Sequence, residues 1–169
     1  MNAAPRIVTI GETFHSTLEL SADSVKSFAT LVNDFNPLHH DEAYAAQSRF
    51  GGLIASGTQP TAHFMALLAT HFSTYAQPLG LEFDIKLKKA VHANDTLAIT
   101  WRVRDAYWKP SLNGDLTHLE GSVVNQRGET MLTGTSTILV MAKPEASESS
   151  NADRDLDTSV NTRTNTNAP

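Results

Sequence analysis

The sequence predicts an α+β fold in which a curved antiparallel sheet wraps around one long buried helix. The helix is read from residues 58–73, where Phe64, Met65, Ala66, Leu67, Leu68, Ala69 and Phe72 leave almost no polar face. A helix apolar nearly all round is a buried one. Beyond it the period switches to two. Leu81, Phe83, Ile85 and Leu87 alternate with Glu82, Asp84, Lys86 and Lys88, and Leu97, Ile99, Trp101 and Val103 repeat the pattern against Arg102 and Arg104. Such alternation marks strands with one dry and one wet face. Two further strands are expected over 117–125 and 129–141, around an Arg127-Gly128 turn. Consecutive strands of this kind pair as an antiparallel meander, whose dry face needs an apolar cover. Only the 58–73 helix has enough apolar surface to supply it, and the result is the hot-dog arrangement.

The remaining elements follow in chain order. Ile7 to Ile10 read as a short first strand, Gly11 as a turn, and 14–20 as a second extended piece. Ser21 is a good N-cap, and Asp23 in the first turn complements the helix dipole. Val25, Phe28, Ala29 and Val32 then recur at helical spacing. Pro37 disfavours helix at the residue before it, so this helix should stop near Phe35 with Asp34 in its last turn. Asp41 can cap a second short helix, which Phe50-Gly51-Gly52 breaks. Pro60 falls in the first turn of the long helix, where a missing N–H does no harm, and His63 and Thr70 form one thin polar stripe. From Lys143 the chain turns to Ser, Asn, Thr, Asp and Glu, too polar to offset its ordering entropy by burial. The reading is a 1–142 domain followed by a disordered polar tail over 143–169.

Composition narrows the function classes. The chain has 169 residues, 40% hydrophobic and 18% charged, with a net charge of -5. That balance has no basic stripe and argues against a nucleic-acid partner. With no cysteine, disulfides, thiolate chemistry and Cys-based metal sites are excluded. The first residues show no apolar signal region, and no run approaches the roughly 20 apolar residues of a membrane span. A cytoplasmic protein without a membrane partner is the expectation.

The chemistry is read from Asp34-Phe35-Asn36-Pro37-Leu38-His39-His40-Asp41. A carboxylate and an imidazole lie five residues apart across an Asn-Pro turn, which can bring them to one side to handle one water molecule. The plainer alternative is that Asp34 and Asn36 shape a turn and His39 packs. A metal held by His39, His40 and Asp41 is disfavoured, because adjacent side chains in an irregular segment diverge and no third ligand is evident; no metal site is expected. His40 reads as a solvated or interface histidine, and His63 and His71 as satisfied rim residues. Lys86, Lys88, Lys89, Arg102 and Arg104 read as a wet sheet face.

The segment Asp34-x-Asn36-Pro37-x-His39-x-Asp41, followed by Ala45, Phe50-Gly51 and Ile54-Ala55-x-Gly57, resembles the hydratase motif of the MaoC-like dehydratases, which include R-specific enoyl-CoA hydratases. The later Ala90-Val91-His92-Ala93-Asn94-Asp95-Thr96-Leu97 is similar to that family's Pro-Val-x-x-Gly-Asp-x-Leu connection. The resemblance runs in order from about Gly11 to Met141. Two positions depart from it. Ser56 stands where many members have His, and Ala90 and Asn94 replace the family's Pro and Gly.

The resemblance implies a hydro-lyase that adds water to, or removes it from, an enoyl-CoA/3-hydroxyacyl-CoA pair. Asp34 would be the base on water, and His39 would orient that water and exchange the proton with Cα. The Gly57 N–H would meet the thioester oxygen, with Ser56 and Asn36 beside the substrate. Coenzyme A enters as part of the substrate and no separate cofactor is implied; contact with its phosphates is the alternative reading of Lys86, Lys88, Lys89, Arg102 and Arg104. Acyl chain length stays open. A hot-dog thioesterase and a non-catalytic acyl-CoA-binding module are the alternatives. By fold analogy, a homodimer with sheets paired edge to edge, or a higher homo-oligomer, is expected.

Overall fold

The computed structural model describes residues 6–144; all but the first two residues of the expected tail lie outside them. Strand β1 (Thr13–Glu19) leads into helix α1 (Ala22–Leu31). A short 3-10 turn at Pro37–His39, helix α2 (Glu42–Gln47) and the long helix α3 (Thr58–Phe72) follow. Strands β2 (Gln77–Leu87), β3 (Thr96–Lys109), β4 (Gly114–Asn125) and β5 (Thr130–Met141) complete the chain. They form one antiparallel sheet in the order β1-β3-β4-β5-β2. This is the hot-dog fold that the helix and strand periods predict. No helix among the described residues is long and apolar enough to cross a membrane.

The core is the contact of α3 with the sheet's inner face. Pro60, Phe64, Leu68 and Phe72, each four residues apart, form the buried stripe of α3, as helical spacing requires. They meet inward residues of the strands, including Ile99, Trp101, Val103, Leu119, Val123 and Ile138. Trp101 fixes the register of helix on sheet. Its ring stacks on Phe64 at 4.0 Å, and its Nε1–H donates to the Phe64 carbonyl at 2.7 Å. Gly121, opposite it on β4, makes room: a Cβ there would lie 2.6 Å from the indole.

Two expectations need correction. Helix α3 is buried along one stripe, not all round: Ala62, His63, Ala66, Ala69 and Thr70 are exposed in the single chain. The sheet covers only one side of the helix, and small residues occupy the other. Residues 7–10 form no strand. The N–H groups of Ile7 and Val8 instead donate to Oδ2 of the fully buried Asp115, at 2.7 and 2.9 Å. A buried carboxylate draws in donors: Oδ2 takes those that a strand would have offered to a neighbour, while Oδ1 has no partner among the described residues.

Candidate active site

The site forms where the irregular segment after α1 meets the N-terminus of α3. Helix α1 ends earlier than expected, at Leu31. Asn33 adopts a left-handed conformation with φ 58°. Its N–H donates to the Thr30 carbonyl and that of Asp34 to the Ala29 carbonyl, at 3.1 and 2.8 Å. These two bonds satisfy the last carbonyls of the helix and place Asp34 just beyond it. Asn36 then caps the 3-10 turn, its Oδ1 accepting from Leu38 N–H at 3.1 Å. Its own N–H donates to Asp34 Oδ1 at 3.3 Å. Asn36 therefore shapes the turn that holds the carboxylate.

His39 is buried, 6% exposed. Its Nδ1–H donates to the Ile54 carbonyl at 2.8 Å, which fixes the ring and aims Nε2 at Asp34 Oδ2, 3.4 Å away. That separation is longer than a well-formed hydrogen bond, and the Asp34 side chain keeps a third of its surface exposed. The two groups predicted to face each other do so. His40, read as solvated, is half-buried and donates its Nε2–H to the Asp34 carbonyl oxygen at 2.7 Å.

Ser56, 2% exposed, acts on the Asp34 carboxylate. Its hydroxyl is the largest influence holding that carboxyl below the usual range, aided by the Asn36 N–H and by His39 and His40, while burial opposes them. Ser56 Oγ also lies 2.7 Å from Thr58 Oγ1. Either hydroxyl can donate in that bond. The lowered pKa keeps Asp34 ionised and acceptor-only.

A cleft of about 330 Å³ opens from His39. Gly57, Pro60, Leu87, Val91 and Met131 give it apolar walls, and Arg49, Lys88 and Lys89 also line it. Gly57 begins α3, and its neighbour across the cleft is Leu87, whose Cδ1 would lie 2.7 Å from a Cβ at that position. Sequence reasoning missed Arg49 and Leu87, and the Ile54 carbonyl on which His39 depends. Leu87 had been read only as part of an alternation. Ile54 is brought to His39 by a bond from its N–H to the Leu38 carbonyl and by a bridge to His92, contacts no local pattern announces. Lys88 and Lys89, read as wet sheet face, stand at this cleft, whereas Arg104 pairs with Glu120 at 3.3 Å away from it.

The family model for the MaoC like domain matches residues 7–124. The chain belongs to the MaoC-like dehydratase family. An uncharacterised Bacillus subtilis protein, YdeM, is 32% identical over 137 residues, covering 78% of this chain and 94% of that one. The Arabidopsis thaliana mitochondrial 3-hydroxyacyl-[acyl-carrier-protein] dehydratase is 26% identical over 70 residues, 41% of this chain and only 42% of the plant protein's length. Among solved structures, the (R)-hydratase of A. caviae involved in PHA biosynthesis superposes with a TM-score of 0.70 at 24% identity. That likeness covers 79% of this chain and 98% of the hydratase, and it is a likeness of fold.

Proposed function

We propose that this MaoC-like protein hydrates a trans-2-enoyl thioester of coenzyme A to the 3-hydroxyacyl thioester, or catalyses the reverse. The observation that carries the reading is the Asp34–His39 pair: His39 lines a cleft and is held by the Ile54 carbonyl, while Asp34, tied to the Asn36 N–H, keeps a third of its side chain exposed beside it. In the hydration direction Asp34 takes a proton from water as the water oxygen bonds to Cβ. Electrons move through Cα to the thioester oxygen. Cα then takes the Nε2 proton of His39, which starts with a proton on each ring nitrogen, and the proton on Asp34 passes to Nε2 as the two close the 3.4 Å between them. Water is added and both groups are reset.

Charge on the thioester oxygen needs a fixed donor. Gly57 lies at the N-terminus of α3 and lines the same cleft as His39; a helix N-terminus favours an anion. One such donor is worth about 100- to 1000-fold in rate. Assembly with a second copy is part of the reading. Strand β2 is a sheet edge carrying Leu79 and Leu81, 53% and 50% exposed, beside the uncovered small-residue face of α3. An exposed apolar edge of this length invites strand pairing. Sedimentation is expected to give a dimer at micromolar concentration.

The test follows the ultraviolet absorbance of conjugated enoyl thioesters of several chain lengths, with product analysis. Loss of absorbance with formation of 3-hydroxyacyl thioester is expected. Release of free thiol would assign a thioesterase instead, and absence of turnover with retained thioester binding would assign a binding module.

A further inference from the structure

The cleft that opens from His39 is electrically one-sided. Arg49, Lys88 and Lys89 line it, and no Asp or Glu does so among the described residues, although the whole chain carries a net charge of -5. The three cations are not equivalent. Lys89 donates to Glu129 Oε1 at 2.8 Å. Glu129 also accepts from Asn125 and Arg127 at 2.9 Å, and these partners, Lys89 first, hold its carboxyl down at about 2. Lys89 is thus matched by a carboxylate that stays charged at any working pH. Arg127 is matched too, by Asp95 and Glu129. Arg49 and Lys88 have no carboxylate partner among the described residues.

Both unmatched cations sit on firm supports. The Arg49 guanidinium lies 5.0 Å over the centre of the Phe50 ring, a stacking that leaves its N–H edge free to donate. The Lys88 backbone is tied to β5 by its N–H bond to the Met131 carbonyl at 2.8 Å, so the start of its side chain is fixed at the wall.

We infer that Arg49 and Lys88 are the phosphate anchor of the cleft, gripping the phosphates of a coenzyme A thioester whose acyl end reaches His39. The assignment rests on the hydration reading above and names the carrier that the site takes. Two unmatched cations lining one cleft suit a compact cluster of phosphates. Arginine supplies a flat fork and lysine a point charge, the usual pairing for phosphate recognition. An acidic carrier protein would present carboxylates spread over a broad face, which two cations in one cleft of an acidic chain do not mirror.

The experiment compares enoyl-CoA with the same acyl group on pantetheine, which lacks the nucleotide phosphates. The Arg49→Gln/Lys88→Gln double variant is expected to lose about tenfold of the preference for enoyl-CoA over enoyl-pantetheine in kcat/KM, with the change in KM. Arg104→Gln, on the far face of the sheet, should leave that preference intact. Equal effects of the double variant on both carriers, or the same loss with Arg104→Gln, would overturn the assignment. A carrier-protein thioester used better than enoyl-CoA, and weakened by the same double variant, would overturn it in favour of an acidic protein. Calorimetry with coenzyme A itself separates this inference from the hydration reading. If the wild type turns over no enoyl thioester but binds coenzyme A, weaker binding by the double variant upholds the anchor. Failure of the wild type to bind coenzyme A would sink it.

Discussion

A carboxylate–imidazole pair stands by each end of helix α3, and the two are built differently. At the N-terminal end Asp34 and His39 stand 3.4 Å apart beside a cleft, with Asp34 partly open to solvent. At the C-terminal end Glu12 and His71 are 2.7 Å apart, and the Tyr75 hydroxyl donates to the same carboxylate at 3.1 Å. His71 is further stacked on Phe14 at 3.7 Å, the rings nearly parallel. Burial, with the Glu12 charge, pushes the Tyr75 hydroxyl above its usual range, so it stays a donor. The second pair is closed on itself and fastens α3 to the start of β1. The first is held from behind and left open in front. The lesson is that residue types alone do not distinguish chemistry from structure; what their remaining lone pairs and protons face does.

Exchanging parts between the two pairs should expose this difference. The largest effect is expected from His39→Ala, which should cut turnover of an enoyl thioester by about 100- to 10,000-fold, read by the decay of ultraviolet absorbance. Ser56→Ala should act mainly through pH. Because Ser56 holds the Asp34 carboxyl down, and Asp34 works ionised, activity is lost as pH falls through its pKa. Removing the hydroxyl raises that pKa, so the acid limb of kcat/KM must move to higher pH; an unmoved limb would break the Ser56–Asp34 link.

His71→Ala should leave kcat/KM within about twofold and lower stability by about 2 kcal/mol, a drop in Tm of roughly 4–8 °C at this chain length. A large loss of turnover there would mean that the far pair is not merely a fastener. Tyr75→Phe should be milder, costing about 1 kcal/mol with no change in rate, checked by urea denaturation.

Much of the fold was legible because it rests on period. Alternation in Leu81–Leu87 and Leu97–Val103 requires strands, and Phe64, Leu68 and Phe72 require a helix against them. Caps were legible too: Ser21 and Asp41 accept from Ser24 and Tyr44 N–H as their positions predict. What local pattern misses is competition from afar. Residues 7–10 have strand composition, yet a carboxylate 107 positions on takes their donors. At the site, the motif announced Asp34 and His39, because a turn sets their spacing. It did not announce the influence of Ser56 on Asp34, nor the Ile54 carbonyl behind His39, because both depend on how the α3 entry packs against the turn. The Lys89–Glu129 pair that sets Arg49 and Lys88 apart is a tertiary fact of the same kind.

The most direct test of the hydration account is Asp34→Asn, a change of one atom that removes the base and keeps the shape. Turnover of the best enoyl-CoA substrate and Tm should be measured on the same preparation. The account predicts a fall in kcat of about 1000-fold or more with Tm essentially unchanged. A variant retaining activity within tenfold of wild type would show that another group activates the water, and would contradict the account.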